Sequence, residues 1–304
     1  MKNLVKLGIF SILLGFIIMY KEDIVELYNV ILVKFSKQEE LIKNEYYKKD
    51  NYNFVKNVDS FRPSNKQELY DIYYTVINSG SKKFSFYCNT KYKNCLKDVK
   101  SMASNRILLS NINSYVHPYN SFSDIETEYN NYGKITIKLN HTYHKNQIIE
   151  INTKVKEIEN ELFKDKKLSD VEKIKLVHDY IINNTKYDSD RSDKNIINYQ
   201  SDIAIGPLFE HYAICGGYSD LMAIFLTNMN IKNYKVSTDK HVWNAVLINN
   251  NWLHLDLTWD DPITSDGTDI IDHKFLLINT KKLLEIEKSQ HNFNFKIYKE
   301  LATK

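Results

Sequence analysis

The sequence predicts an α+β fold: a helix that begins at a cysteine packs on an antiparallel sheet bearing a histidine and an aspartate. A small α+β module and an N-terminal membrane anchor precede it. Three observations point there. "EHYAICGGYSDLMAIFL" (Glu210–Leu226) places Cys215 between an apolar lead-in and a Gly-Gly pair, after which an amphipathic helical pattern starts. "KHVWNAVLI" and "NWLHLDLTW", split by asparagines, alternate like the strands of a β-hairpin. The opening "MKNLVKLGIFSILLGFIIMYKED" is uncharged from Leu7 to Tyr20.

A chain of 304 residues holds one large or two ordinary domains, with ample material for a core. Its hydrophobic fraction of 43% and charged fraction of 26% are those of a globular protein. A net charge of +3 with basic and acidic residues interleaved argues against a nucleic-acid partner. Heavy use of Asn, Lys, Ile and Tyr fits the codon bias of an AT-rich bacterial genome.

The apolar opening is read as an uncleaved signal anchor over residues 1–22. Leu7–Tyr20 as a helix reaches only about 21 Å, but counting from Leu4 with Lys6 snorkelling brings it closer to the bilayer span. Ile18, Met19 and Tyr20 are too bulky for a signal-peptidase site. Lys2 and Lys6 keep the N-terminus cytoplasmic, so the body would lie outside the cell membrane.

Residues 23–143 read as a stalk and a small α+β module. "NKQELYDIYYTVINSG" is a helix ended by Gly80, followed by the strand "KFSFYC". "NCLKDVKSMASNRILLSNI" is helical, and "GKITIKLNHTY" alternates as a strand after Gly133. Cys88 and Cys95 are close enough for a local disulfide in an oxidising compartment, or are two unrelated thiols. If they pair, Cys215 is the odd thiol of the chain's three cysteines.

Residues 144–304 form the second module. "NQIIEINTKVKEIENELF" is a helix, and in "SDVEKIKLVHDYIINNTKYD" Ser169 and Glu172 make a capping-box pattern. Val171, Ile174, Val177, Tyr180 and Ile181 share a face of that helix. The Cys215 helix carries Leu221, Met222, Ile224, Phe225 and Leu226, enough to be buried under a sheet.

The chemistry follows from placement. A cysteine at a helix start lies beside unpaired N–H groups and the positive end of the dipole, which favours the nucleophilic thiolate. His241 begins one strand and Asp256 lies in the next, so an imidazole could take the thiol proton while the carboxylate orients it. Each residue alone reads as a core residue; jointly, at the ends of the right elements, they form a candidate triad. An even two-residue loop at Asn249–Asn250 pairs Ile248 with Asn251 and, by extension, Trp243 with Asp256, leaving His241 opposite Thr258 and diagonal to Asp256.

Other residues are weighed against this set. Asp260 and Asp261 read as turn caps or loop contacts. His254 reads as a hydrogen-bonded structural histidine. His141 and His144 lack further ligands at metal spacing, so no metal and no cofactor is expected. Trp243, Trp252 and Trp259 either line an acyl-binding groove or pack the hairpin onto the Cys215 helix. Tyr199, Gln200 and Ser201 are the region in which a second oxyanion donor would be sought.

Ser169–Pro262 resembles bacterial members of the transglutaminase-like superfamily. The resemblance rests on Cys215–Gly216–Gly217–Tyr218, His241–Val242–Trp243–Asn244 and Asp256 through Pro262, in that order, with Tyr187–Asp188 as lead-in. It implies a papain-like domain with Cys215 as nucleophile, His241 as base and Asp256 as orienting acid. Tyr218, Trp243 and Tyr199 are the candidate substrate-binding residues. The first module, with "YVHPYNSF" at Tyr115–Phe122, resembles the extracellular region that accompanies such domains. The expected activity is thiol-dependent acyl transfer at amide carbonyls of protein or peptide substrates at the cell surface, ending in cross-linking or hydrolysis. The competing expectation is a catalytically silent module that binds cell-surface or cell-wall partners.

Overall fold

The computed structural model describes residues 19–20, 31, 38–164, 166–262 and 270–302, and Asn65 starts the first helix whose bounds lie within them. Most of the expected anchor and the first part of the stalk lie outside the described residues. Among those described, no helix is long and apolar enough to cross a membrane.

Helix α1 (Lys66–Asn78) is capped by the Asn65 side chain, which accepts from Glu68 N–H, and Gly80 turns the chain at φ +74°. Strand β1 (Lys83–Tyr87) follows. The stretch expected to be one helical run is two helices, α2 (Cys95–Ala103) and α3 (Arg106–Asn113), because Asn105 between them accepts from Leu108 N–H and starts a new helix. Strand β2 (Phe122–Tyr129) pairs antiparallel with β3 (Lys134–His141), and β3 also pairs with β1, giving the order β1-β3-β2. Cys88 and Cys95 are disulfide-bonded, tying the end of β1 to the start of α2.

Helices α4 (Lys145–Phe163) and α5 (Asp170–Asn183) come next, the latter with the expected capping box of Ser169 and Glu172. Its buried face is Ile174, Val177, His178, Ile181 and Ile182; Val171, expected on that face, is exposed in the first turn. A short parallel pair of β4 (Lys186–Tyr187) and β5 (Tyr212–Ala213) brackets α6 (Ser189–Lys194) and leads into α7 (Cys215–Asn228). Leu221 through Leu226 are all buried, as expected for a helix packed under a sheet.

The second sheet is antiparallel, β6-β7-β8-β9, with β6 Asn233–Ser237, β7 Val242–Ile248, β8 Asn251–Leu255 and β9 Leu276–Ile278. Asn249 and Asn250 at φ +49° and +63° make the two-residue turn, and Ile248 pairs with Asn251 as the even register requires. The register ends one pair earlier than expected, at Asn244 with Leu255. Asp256 does not continue the strand: its Oδ1 accepts from Thr258 and Trp259 N–H and caps the short helix α8 (Leu257–Asp260). Thr258 therefore does not stand opposite His241 in a ladder.

Alternation divides this sheet between two cores. Tyr234, Val236, Trp243 and Ala245 join Leu69, Ile72, Val99 and Ile112 of the N-terminal helices. Val246, Ile248 and Leu255 face α5 and α7 with Val177 and Phe225. The sheet is thus the middle of three layers, and residues on both sides of Tyr143 share one core. Each fully buried side chain here stabilises the fold by about 1.5–3 kcal/mol.

Candidate active site

Cys215 is the first residue of α7, and the segment before it is held on both sides. Asp188 N–H donates to Ala213 O (2.9 Å) and Ile214 N–H to Ser201 O (2.8 Å). The loop through Ser201 and Asp202 lies directly on the first turn. A Cβ on Gly216 would stand 2.5 Å from Asp202 O, and one on Gly217 2.4 Å from Ser201 O. The glycine pair after Cys215 is there because any side chain would push this loop off the helix start. Cys215 is a half-buried free thiol, and Tyr187 faces it: burial and the charge on the sulfur raise the Tyr187 phenol.

His241 enters from a tight turn before β7. Its N–H donates to Thr238 Oγ1 (3.0 Å) and its carbonyl accepts from Thr238 N–H (2.9 Å). Cys215 and His241 line one cavity of about 330 Å³, with Ser114, Lys235 and Lys240 around them. His241 Nε2 lies 2.5 Å from Asp256 Oδ2, and the two residues are 6% and 1% exposed. Burial opposes charge on the His241 ring, but Asp256 and the Cys215 sulfur outweigh it and raise His241 to about 10. Burial likewise opposes charge on Asp256, and His241 with His291 holds its carboxyl well below the usual carboxylate range.

His291 is the residue sequence reasoning missed. Its Nε2 lies 2.8 Å from Asp256 Oδ2 and its Nδ1 2.8 Å from Glu287 Oε2, in a site where it is 0% exposed. It follows Asp256 by 35 positions in a stretch without helix or strand, where no sequence pattern singles it out. The nitrogen and oxygen atoms of His241, Asp256 and His291 all lie within 4.8 Å of one another. Two ligands on a metal at about 2.0–2.1 Å stand roughly 3 Å apart or more, so separations of 2.5 and 2.8 Å are direct hydrogen bonds. A second cluster, His178, Asp179 and His273, also has metal-type spacing, but Lys175 Nζ sits 2.8 Å from both Asp179 and His273.

The remaining candidates fall as follows. Trp243 and Tyr218, expected to touch substrate, are each 1% exposed. Trp243 Nε1 donates to His254 Nδ1 (2.9 Å), and the Tyr218 hydroxyl donates to Asp261. Tyr199 is half-buried and lies flat on Tyr212 at 4.1 Å. Gln200 Oε1 accepts from Gln147 (3.2 Å), while Ser201 is fully buried with its hydroxyl unpartnered among the described residues. His254 Nε2 meets Thr280 Oγ1 at 2.9 Å, and burial pushes its ring down to about 3. Asp260 accepts from Phe275 N–H (2.9 Å) and lies 3.1 Å from His178 Nε2. His141 is engaged by the carbonyls of Gly80 (3.1 Å) and Ser121 (3.4 Å).

Residues 156–257 match the family model described as the transglutaminase-like superfamily, a span that includes Cys215, His241 and Asp256. No curated protein matches the chain. Among solved structures, one described as a TGase is 16% identical over 45% of this chain and 45% of that one, with a TM-score of 0.34. The aligned part is thus less than half of that protein. A candidate cysteine protease from Cytophaga hutchinsonii is 15% identical over 51% of this chain and 69% of that one, with a TM-score of 0.28. On the family match, residues 156–257 of this α+β chain are a transglutaminase-like domain.

Proposed function

We propose that this protein is a thiol-dependent acyl-transfer enzyme acting on amide carbonyls of proteins or peptides at the cell envelope, with Cys215, His241 and Asp256 as its catalytic residues. The observation that carries the reading is the buried His241–Asp256 pair beside a free thiol at a helix start, in one cavity. Asp256 occupies Nε2 of the ring, which leaves Nδ1 to take the thiol proton. The sulfur then attacks the carbonyl carbon, and N–H groups of the first turn of α7, which have no acceptor within the helix, receive the developing oxyanion. His241 returns the proton to the leaving nitrogen as the C–N bond breaks, leaving a thioester on Cys215. Water or an amine, deprotonated by His241, attacks that thioester, giving hydrolysis or an isopeptide bond and restoring the thiol.

Ser110, Ser237 and Thr238 border both the cavity at Cys215 and a second one, of about 380 Å³, lined also by Arg106 and Phe293. Helix α3 therefore forms one wall of the groove, and the N-terminal module contributes to substrate binding. Location at the envelope is supported by the apolar segment Leu7–Tyr20 and by the Cys88–Cys95 disulfide, which suits an oxidising compartment.

The test is incubation with a fluorescent primary amine and a glutamine-rich acceptor, with hydrolysis products followed by mass spectrometry and Cys215→Ala as control. Amine incorporation that depends on Cys215 supports cross-linking, and cleavage without incorporation supports a peptidase. Neither product, across a broad peptide set, would replace the enzyme with a surface-binding module.

A further inference from the structure

The Cys215–His241–Asp256 arrangement leaves one buried polar group unexplained. His291 stands beside His241, the two rings edge to face at 5.3 Å, and is also packed edge-on to Trp243 (4.8 Å) and flat on Phe275 (5.5 Å). Of the two Asp256 oxygens, Oδ1 is taken by the N–H groups that begin α8. Both imidazoles therefore meet at Oδ2, His241 at 2.5 Å and His291 at 2.8 Å. A residue present only to fill space would have no reason to share the oxygen that orients His241.

We infer that His291, itself held by Glu287, is a positioning residue that fixes the Asp256 carboxylate for His241. The inference rests on the proposed catalytic role of Cys215 and His241. An ionised carboxylate only accepts hydrogen bonds, so the Nε2 contact to Asp256 is donated by the ring, while Nδ1 lies 2.8 Å from Glu287 Oε2. Glu287 is anchored in turn by Ser289 N–H (2.8 Å) and Gln290 N–H (3.0 Å). Burial opposes its charge, but these donors and His291 bring Glu287 down to about 2. The result is an ordered line, Glu287, His291, Asp256, His241 and Cys215, running from a surface loop to the thiol. Supporting groups that lock the partners of a catalytic residue commonly decide whether its geometry is productive.

The charged and titratable groups around this line are few. Asp256 faces His241 and His291, and burial, with the Asp256 charge, raises Asp260 of α8. His291 faces Asp256 and Glu287, with His254 of β8 nearby. Removing His291 takes away a donor that favours the ionised form of a fully buried carboxylate, so protonation of Asp256 must move to higher pH. That is a signature a merely structural role would not produce.

The experiment uses the full-length chain with His291→Leu, His291→Gln and Glu287→Gln. The rate of Cys215 alkylation by iodoacetamide is measured against pH, beside kcat and KM for whichever product the amine assay yields. His291→Leu is expected to lower kcat about tenfold or more with KM little changed. It is also expected to move the acid limb of the alkylation profile up by about one pH unit. His291→Gln, whose amide N–H can take the place of Nε2–H, is expected to recover most of both, and Glu287→Gln to give a smaller shift the same way. If His291→Leu does not fold, the His291→Gln and Glu287→Gln profiles still decide. A reactive parent thiol whose profile is unmoved by Glu287→Gln and His291→Leu, or a His291→Gln protein as impaired as His291→Leu, would overturn the inference alone. A parent Cys215 that labels no faster than a thiol in denatured protein would overturn the catalytic reading and this inference with it.

Discussion

His241 and His254 belong to the two arms of one hairpin, are both buried, and are treated in opposite ways. His254 lies on the face shared with the N-terminal helices, between the Trp243 indole N–H and the Thr280 hydroxyl. Both neighbours are neutral, so burial decides and the ring is held uncharged, down to about 3. His241 lies at the end of the same sheet, where burial is overcome by Asp256 and the Cys215 sulfur and the ring is raised to about 10. Equal burial thus gives a neutral imidazole at one end of the hairpin and a charged one at the other. What differs is whether the nearest partner carries charge.

The contrast is broken most strongly by removing that charge. Asp256→Asn keeps an acceptor for the Thr258 and Trp259 N–H groups and hence the α8 cap. It deprives His241 of its carboxylate, and turnover is expected to fall by about 10³–10⁴ with the fold intact. Asp260→Ala and Asp261→Ala are expected to lower turnover far less at saturating substrate. Steady-state kinetics of the three variants checks this; an Asp261→Ala enzyme that is silent beside an active Asp256→Asn would reassign the orienting acid.

The two rings also impose opposite pH dependences on stability. His241 is raised, so its contribution is full below its unfolded value near 6.5 and is lost as pH rises through about 10. His254 is lowered, so its contribution is full above its unfolded value and is lost as pH falls from there towards about 3. Urea denaturation across pH should therefore show His241→Gln flattening the alkaline loss and His254→Gln the loss on the acid side. If both variants change the same limb, the contrast between the two sites is wrong.

The smallest effect on the site is expected from the disulfide, which lies in the other module. In the native protein iodoacetamide should modify Cys215 rapidly while Cys88 and Cys95 stay unlabelled until reduced. Replacing both by Ala should leave Cys215 labelling unchanged and lower stability by about 2–3 kcal/mol on the chain-entropy account of so small a loop. Slower labelling of Cys215 in that variant would show that the N-terminal module tunes the site as well as walling its groove.

Much of this organisation is determined by the sequence alone, because it rests on short-range rules. The capping box at Ser169 and Glu172, the stop at Gly80, the strand after Gly133 and the two-residue hairpin turn at Asn249–Asn250 each depend on neighbours in the chain. The order of Cys215, His241 and Asp256 within one domain was legible on the same basis. Strand β2 was not: it is mostly exposed, and its charged residues hide the alternation that marks a half-buried strand. Nor was the end of β8, where one side chain both caps α8 and binds two histidines. Trp243 and Tyr218 carried the right motifs, but burial depends on what packs over them, and that came from remote helices and loops. His291 shows the division most plainly. Only the tertiary fold brings a loop residue to the oxygen that orients His241, because that meeting is set by how distant segments close on the sheet and leaves no period or motif in the chain.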